Sequence, residues 1–364
     1  MTVSIASVTL AGPGRENVIG DAVRSLVRHV DTVIVLDTVS ARTDATIERA
    51  SEAAGDKLRI VSFPWVNDFS AARNAALDAA HASGADWALS LDSDETLDVG
   101  QADLRTYLAR LPSDVHAVCI FNRDQTYFQP RLFRLPAKGR YEGPTHERWI
   151  STDSADRIVG IPVVTFQERP KTADELQAKA QRDVAILTEH IALFPSEPRW
   201  HLFLGQSYAY LGEHGTAVGA YNSAVQLSTG EAAASACYAL AKSLMALGNP
   251  SRAIDACALG LARHPGIAEL AWLAGKASIA LERYDDAICW AHASIALGLF
   301  KGMGKRVHRS GVASQLVLYE GPYDVLRVAY RALGEHADAD SAEVTYGEAK
   351  RLRETSTGVL AAAA

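Results

Sequence analysis

Apolar residues in the first half of the chain fall in short runs, each of which stops abruptly at polar or glycine-rich sequence. Residues 3–10 are β-branched and apolar and stop at Ala11-Gly12-Pro13-Gly14. Thr32-Val33-Ile34-Val35-Leu36 delivers Asp37 beside Thr38, residues 58–63 form a third run, and Trp87-Ala88-Leu89-Ser90-Leu91 ends in Asp92-Ser93-Asp94-Glu95. Runs of this length between turn residues predict strands covered on both faces. Periodicity alone leaves a short buried helix open, and length favours the strand. Helical spacing predicts helices over residues 18–28, 44–54, about 68–81 and 101–111, so strand and helix alternate as in βαβ units with right-handed crossovers. After residue 115 the rhythm changes. Residues 115–121 and 126–133 are strand-like and joined by Asn122-Arg123-Asp124-Gln125, which predicts an antiparallel hairpin widening a mixed sheet.

Beyond Phe166 the stretch Gln167-Glu168-Arg169-Pro170-Lys171 is polar and broken by proline, and the chain then turns Ala- and Leu-rich. A domain boundary is expected there, giving domains over 1–168 and 169–355 and a frayed tail over 356–364. Leu204-Gly205, Tyr208, Ala217, Tyr221 and Ala224 recur in altered form as Leu240-Ala241, Leu244, Ala253, Cys257 and Gly260. Ala274-Gly275, Ala287, Ala291 and Ser294 make a third round. The spacing is close to the 34-residue tetratricopeptide period and predicts stacked helix pairs, with the flanking helices capping the array. Trp200, Trp272 and Trp290 then read as packing residues and not as sugar platforms, and Gly- and Lys-rich residues 301–310 as a mobile loop.

Composition narrows the function classes. The 364 residues are 48% hydrophobic, ample for two cores. A net charge of −7 and the lack of a basic tract argue against a nucleic-acid partner. No apolar run approaches the ~20 residues of a membrane helix, and the N-terminus lacks signal-peptide character, so a cytoplasmic protein without a membrane span is expected. Cys119, Cys237, Cys257 and Cys289 are widely spaced in apolar surroundings and read as buried reduced thiols.

Candidate chemistry collects where the strands end. Ligands of open α/β sheets sit outside the carboxyl ends of the strands, so the Asp92-Ser93-Asp94 acids face a cleft. Two aspartates one residue apart can share a hard divalent cation, or simply form a solvated acidic turn. In Trp65-Val66-Asn67-Asp68-Phe69-Ser70-Ala71-Ala72-Arg73-Asn74, Asp68 or Ser70 can cap a helix whose first turns carry Arg73 and Asn74, a place where an anion could dock. Arg131-Leu132-Phe133-Arg134 is followed by Tyr141-Glu142-Gly143-Pro144-Thr145-His146-Glu147, where an imidazole and a carboxylate offer acid/base or metal-binding chemistry.

These pieces occur in one order, and the ordered set resembles family 2 glycosyltransferases of the GT-A fold. The resemblance is closest to the branch that includes lipopolysaccharide-core glucosyltransferases and the sublancin-type peptide S-glycosyltransferases. It covers roughly the first 165 residues and implies an α/β GT-A domain with a Rossmann-like mixed sheet, followed here by the all-α tetratricopeptide-like domain. It further implies inverting transfer from a nucleotide-sugar, commonly UDP-linked, with Mn²⁺ or Mg²⁺. Carried over residue by residue, Asp37 would meet the base, Asp92 the ribose or metal, and Asp94 the metal and diphosphate. Thr9, Ala11, Asp68, Arg73, Asn74 and Ser93 would lie near the donor, and His146 would complete the metal shell. Glu147 would be the general base, with Glu142 the runner-up, on the expectation that successive side chains of an extended segment point to opposite sides. The chain departs from the family pattern at Gly12-Pro13-Gly14-Arg15-Glu16-Asn17 and at Asp37-Thr38-Val39-Ser40-Ala41-Arg42-Thr43-Asp44, a longer stretch without glycine. Both border the presumed base pocket. The expected partners are a nucleotide-sugar donor and a peptide, protein or glycan acceptor recruited by the repeats, which could instead mediate homo-oligomerisation. The rival readings are a nucleotidyltransferase on a similar sheet and a non-catalytic repeat scaffold.

Overall fold

The computed structural model describes residues 3–123, 127–152, 157–303 and 314–362, the last seven of these by their backbone alone. It divides into two compact units, one ending at Thr172 and the other beginning at Ala173.

In the first unit, the apolar runs become strands β1 (Ile5–Ala11), β2 (Thr32–Asp37), β3 (Leu58–Ser62) and β4 (Trp87–Ser90), all parallel. Helices α1 (Ile19–Leu26), α2 (Thr46–Ala54) and α3 (Phe69–Ala82) connect them. Four strands that the apolar pattern does not announce follow: β5 (Glu95–Asp98), immediately after the acidic turn, the short β8 (Gly139–Glu142) and β9 (Arg148–Ser151), and β10 (Arg157–Glu168). Between β5 and β8 lie α4 (Leu104–Arg110), β6 (Val115–Asn122) and β7 (Phe128–Arg134). The sheet order is β3-β2-β1-β4-β7-β6-β10-β5, with β8 and β9 paired separately. β6 and β7 form the expected antiparallel pair. Residues 124 and 125 of their expected link lie outside the described residues. Full burial of Ile5, Val33, Val35, Trp87 and Leu89 on one face, and of Ala6, Ile34, Leu36 and Ala88 on the other, explains why β1, β2 and β4 read as continuous apolar runs, whereas β3, expected to be covered on both faces, is the sheet edge and has no buried residue.

The topology positions the site. The chain lays β2 and β3 on one side of β1 and then returns to place β4 on the other. A crevice opens at such a reversal, outside the carboxyl ends of the flanking strands. Asp92, Ser93 and Asp94 follow β4 directly into that position.

The second unit is helical: α5 (Ala173–Leu193), α6 (Pro198–Tyr210), α7 (His214–Leu227), α8 (Gly230–Ala246), α9 (Pro250–Arg263), α10 (Ala268–Ala280), α11 (Tyr284–Leu297), α12 (Gln315–Leu318), α13 (Gly321–Leu333) and α14 (His336–Ala362). The three rounds of small residues fall on the pairs α6/α7, α8/α9 and α10/α11, which pack within and between pairs. Close approach explains the small residues: a Cβ on Gly205 would stand 2.5 Å from the Tyr221 ring, and one on Gly260 2.7 Å from Leu270. Trp200 is buried, and Trp272 and Trp290 pack half-buried against the core. Cys119, Cys237 and Cys257 are buried, whereas Cys289, expected inside, is exposed. Residues 304–310 of the expected mobile loop, and the side chains of the expected frayed tail, lie outside the described residues. Among the described residues no helix is long and apolar enough to cross a membrane.

Candidate active site

The first turns of α3 act as a clamp on the loop that carries Glu147. Asp68 caps the helix by accepting from the Ala71 N–H at 2.9 Å, the role that Asp-Phe-Ser-Ala suggests. From there the Phe69 N–H donates to the Pro144 carbonyl at 2.8 Å, and the Ser70 hydroxyl donates to that of Gly143. Asn74 exchanges two hydrogen bonds with the backbone of Tyr141, at 2.9 and 3.0 Å. Asp68 and Asn74, expected near the donor, therefore hold backbone in this structure.

Arg73, on the same helix face, joins the two ends of the candidate site. Nη1 and Nη2 meet the two Asp92 oxygens at 2.8 and 3.1 Å, and Nε donates to Glu147 Oε1. Burial opposes the Arg73 charge, but Asp92 and Glu147 outweigh it and keep the guanidinium firmly protonated. Burial likewise acts to raise the Asp92 carboxyl, and the charges of Arg73 and Arg131 hold it well below the usual carboxylate range. Glu147 keeps Oε2 without a hydrogen bond among the described residues.

A second charged pair lies beside the first. Glu95, 2% exposed, accepts from Arg131 Nη2 at 2.6 Å and from the Asp92 N–H at 2.9 Å. Burial pushes its carboxyl up to about 7, against the pull of Arg131 and with a further push from Asp92. Arg73, Asp92, Glu95, Arg131, His146 and Glu147 line one cleft of about 390 Å³, along with Tyr141 and Trp149. The sequence pattern does not single out Glu95 and Arg131 as site residues. Both sit inside motifs that it does single out, but pairing across strands is not visible in a linear pattern.

The remaining expected residues are distributed as follows. Glu142 is exposed at the end of β8 and is not among the cleft-lining residues. Thr9 is buried in β1 with its hydroxyl unpartnered, and Ser93 is also buried. The carbonyl of Ala11 accepts from Thr38 and, at 2.8 Å, from Arg42. Asp37 is engaged by Arg42 at 2.5 Å, and Arg42 also meets Asp44 at 2.7 Å. Burial acts to raise the Asp37 carboxyl, while hydrogen bonds from Arg42 and Val39 hold it below its ordinary value. His146 is not in an extended segment: its φ of 50° is left-handed, and both His146 and Glu147 line the same cleft instead of diverging.

What the carboxylates already hold decides how they suit a divalent cation. Both Asp92 oxygens face Arg73. Asp94 Oδ2 stands 3.3 Å from Lys171 Nζ, and Oδ1 makes no hydrogen bond among the described residues. Among the described residues no three His, Cys, Asp or Glu side chains are gathered into one metal-binding group. The set of Asp92, Asp94 and His146 is therefore not assembled as a three-ligand cage. The arrangement fits a cation held by the one open oxygen of Asp94, with its other positions left to a ligand, as hard cations held through substrate phosphates often are.

The model of the family described as glycosyl transferase family 2 matches residues 13–167. The SPbeta prophage-derived glycosyltransferase SunS of Bacillus subtilis is 25% identical over 196 residues, 51% of this chain and 45% of that protein. A TPR repeat-containing protein of Synechococcus elongatus is 37% identical over 125 residues, 33% of this chain and 29% of that protein. The chain thus spans less than half the length of these curated relatives. Among solved structures, MamA is 18% identical with a TM-score of 0.41, covering 51% of this chain and 99% of that one.

Proposed function

Since residues 13–167 form a glycosyltransferase family 2 domain, followed by a tetratricopeptide-like helical array, we propose that the chain transfers a sugar with inversion from a nucleotide-sugar to a peptide, protein or glycan acceptor. One observation carries this reading: β4 delivers Asp92 to the crevice at the sheet reversal, and Arg73 ties that carboxylate to Glu147 across the same cleft.

In this reading Glu147 is the general base, taking the acceptor hydroxyl or thiol proton at Oε2 while Arg73 fixes the carboxylate through Oε1. Glu142, outside the cleft lining, is the weaker candidate. A Mn²⁺ or Mg²⁺ ion entering with the donor would be held by the open Oδ1 of Asp94, beside the Oδ2 that faces Lys171, and would supply positive charge for the departing diphosphate. The donor nucleotide is UDP in the family-based expectation. The helical array offers an extended surface for recruiting a macromolecular acceptor, as stacked repeats do.

A screen of nucleotide-sugar hydrolysis and transfer with Mn²⁺ tests the proposal. Glu147→Gln should leave donor affinity intact and lower turnover by the ~10²–10⁴-fold typical of losing a general base. Near-normal turnover would remove Glu147 from the role, and release of pyrophosphate in place of a nucleoside diphosphate would replace the reaction with nucleotidyl transfer.

A further inference from the structure

The two arginines on the cleft wall differ in what their guanidinium groups hold. Arg73 has every nitrogen engaged, two on Asp92 and one on Glu147. Arg131, on β7 and 4% exposed, makes a single side-chain hydrogen bond among the described residues, from Nη2 to Glu95. Its Nε is buried without a partner, and its Nη1 stands 3.9 Å from Asp92 Oδ2, beyond hydrogen-bonding distance. The Phe166 ring lies 4.7 Å from the guanidinium carbon, on which the group rests.

A guanidinium carries five N–H donors, and a buried donor left unmatched is destabilising. Asp92 does not relieve that cost as it stands, because its Oδ2 lies 3.9 Å from Nη1 and both of its oxygens are drawn to Arg73. Arg131 is thus a buried cation with unused donors in a cleft wall, fixed in position by Glu95 and Phe166. Its permanent charge and the open Nη1 suit a phosphate oxygen better than a sugar hydroxyl.

We propose that Arg131 is the phosphate-reading residue of this cleft, taking an oxygen of a nucleoside diphosphate through Nη1 while Glu95 holds the far end of the guanidinium. The ligand's identity as a nucleotide rests on the function proposed above. The anion preference rests on Arg131 alone.

Titration calorimetry on the full chain separates the two. UDP, GDP and ADP are compared with uridine, guanosine and adenosine, and inorganic pyrophosphate is measured as the phosphate part without a base. The variants are Arg131→Lys, which keeps the charge, and Arg131→Gln combined with Glu95→Gln, which removes both members of the buried pair so that no uncompensated charge remains. Melting curves establish that each is folded. The wild type should bind one diphosphate at least tenfold more tightly than its nucleoside. The double variant should lose at least tenfold of the diphosphate and pyrophosphate affinity with nucleoside affinity unchanged, and Arg131→Lys should retain part of it. An unchanged diphosphate-to-nucleoside ratio in the folded double variant overturns the proposal while leaving the glycosyltransferase reading intact. Pyrophosphate binding that depends on Arg131 without binding of any nucleotide sustains the proposal and overturns the nucleotide reading. A wild type that binds neither pyrophosphate nor any diphosphate overturns both.

Discussion

All five N–H donors of Arg42 are matched. Nε and Nη2 reach Asp37, Nη2 also reaches the carbonyl of Ala11 at 2.8 Å, and Nη1 reaches that of Gly12 at 3.3 Å and Asp44 at 2.7 Å. The residue ties the ends of β1 and β2 together. Asp37 and Asp44 are both held below their ordinary values, Asp37 by Arg42 and Val39 against the rise from burial, Asp44 chiefly by Thr46. A depressed carboxyl contributes stability that is complete above its unfolded value of about 3.8 and is lost as pH falls through the folded value. Arg42→Met should therefore be less stable than wild type at pH 7, by about 2 kcal/mol for a lost charged hydrogen-bond set. The deficit should shrink as pH falls below about 4, where the unfolded chain begins to bind protons at these carboxyls, and close only as pH passes through their depressed folded values. Urea midpoints of both proteins across pH 2–7 measure it, and a pH-independent difference would show that Arg42 acts through packing alone. Asp37 is legible in the sequence because it ends an apolar run. Arg42 is not, because its partners include backbone carbonyls about 30 residues away, and a similar distance in sequence hides the pairing of Arg131 with Glu95.

Two glycines of adjacent helices should respond oppositely to the same substitution. Alanine in a helix interior gains about 1 kcal/mol over glycine. Gly219 on α7 is exposed with nothing within 4 Å of an added Cβ, so Gly219→Ala should raise the melting temperature of the helical unit. Gly205 on α6 faces the buried Tyr221 ring at 2.5 Å, and there the overpacking cost of about 1–3 kcal/mol exceeds the propensity gain, so Gly205→Ala should lower it. Calorimetric scans of the two variants would show the sign change, and a rise in both would mean that Tyr221 moves aside freely. Such helix crossings are readable from the periodicity of small residues, as β1 to β4 are from their apolar runs. The same pattern misses β10 because Ile161, Val164 and Phe166 are its only buried hydrophobic residues, and its register against β6 shifts between Ile161 and Thr165. No alternation of period two survives that bulge.

The two compact units suggest a division of labour that cutting the chain tests. A fragment of residues 1–172 should retain slow donor hydrolysis, and transfer to a macromolecular acceptor should require residues 173–362 as well. Circular dichroism must first establish that the fragment is folded. If the folded fragment then glycosylates the native acceptor at the full-length rate, recruitment by the helical array is wrong. The order of strands in the sheet carries one more consequence, in the timing of synthesis. β10 lies between β6 and β5, so the edge strand that follows the acidic turn has no sheet partner until residues 157–168 exist. The N–H of Arg169 then bonds the Asp94 carbonyl at 2.9 Å, and Lys171 reaches its side chain. A nascent chain that has released only its first hundred residues from the ribosome thus carries the acidic turn but not the scaffold that holds it. The site is completed in the same few seconds in which α5 begins to emerge.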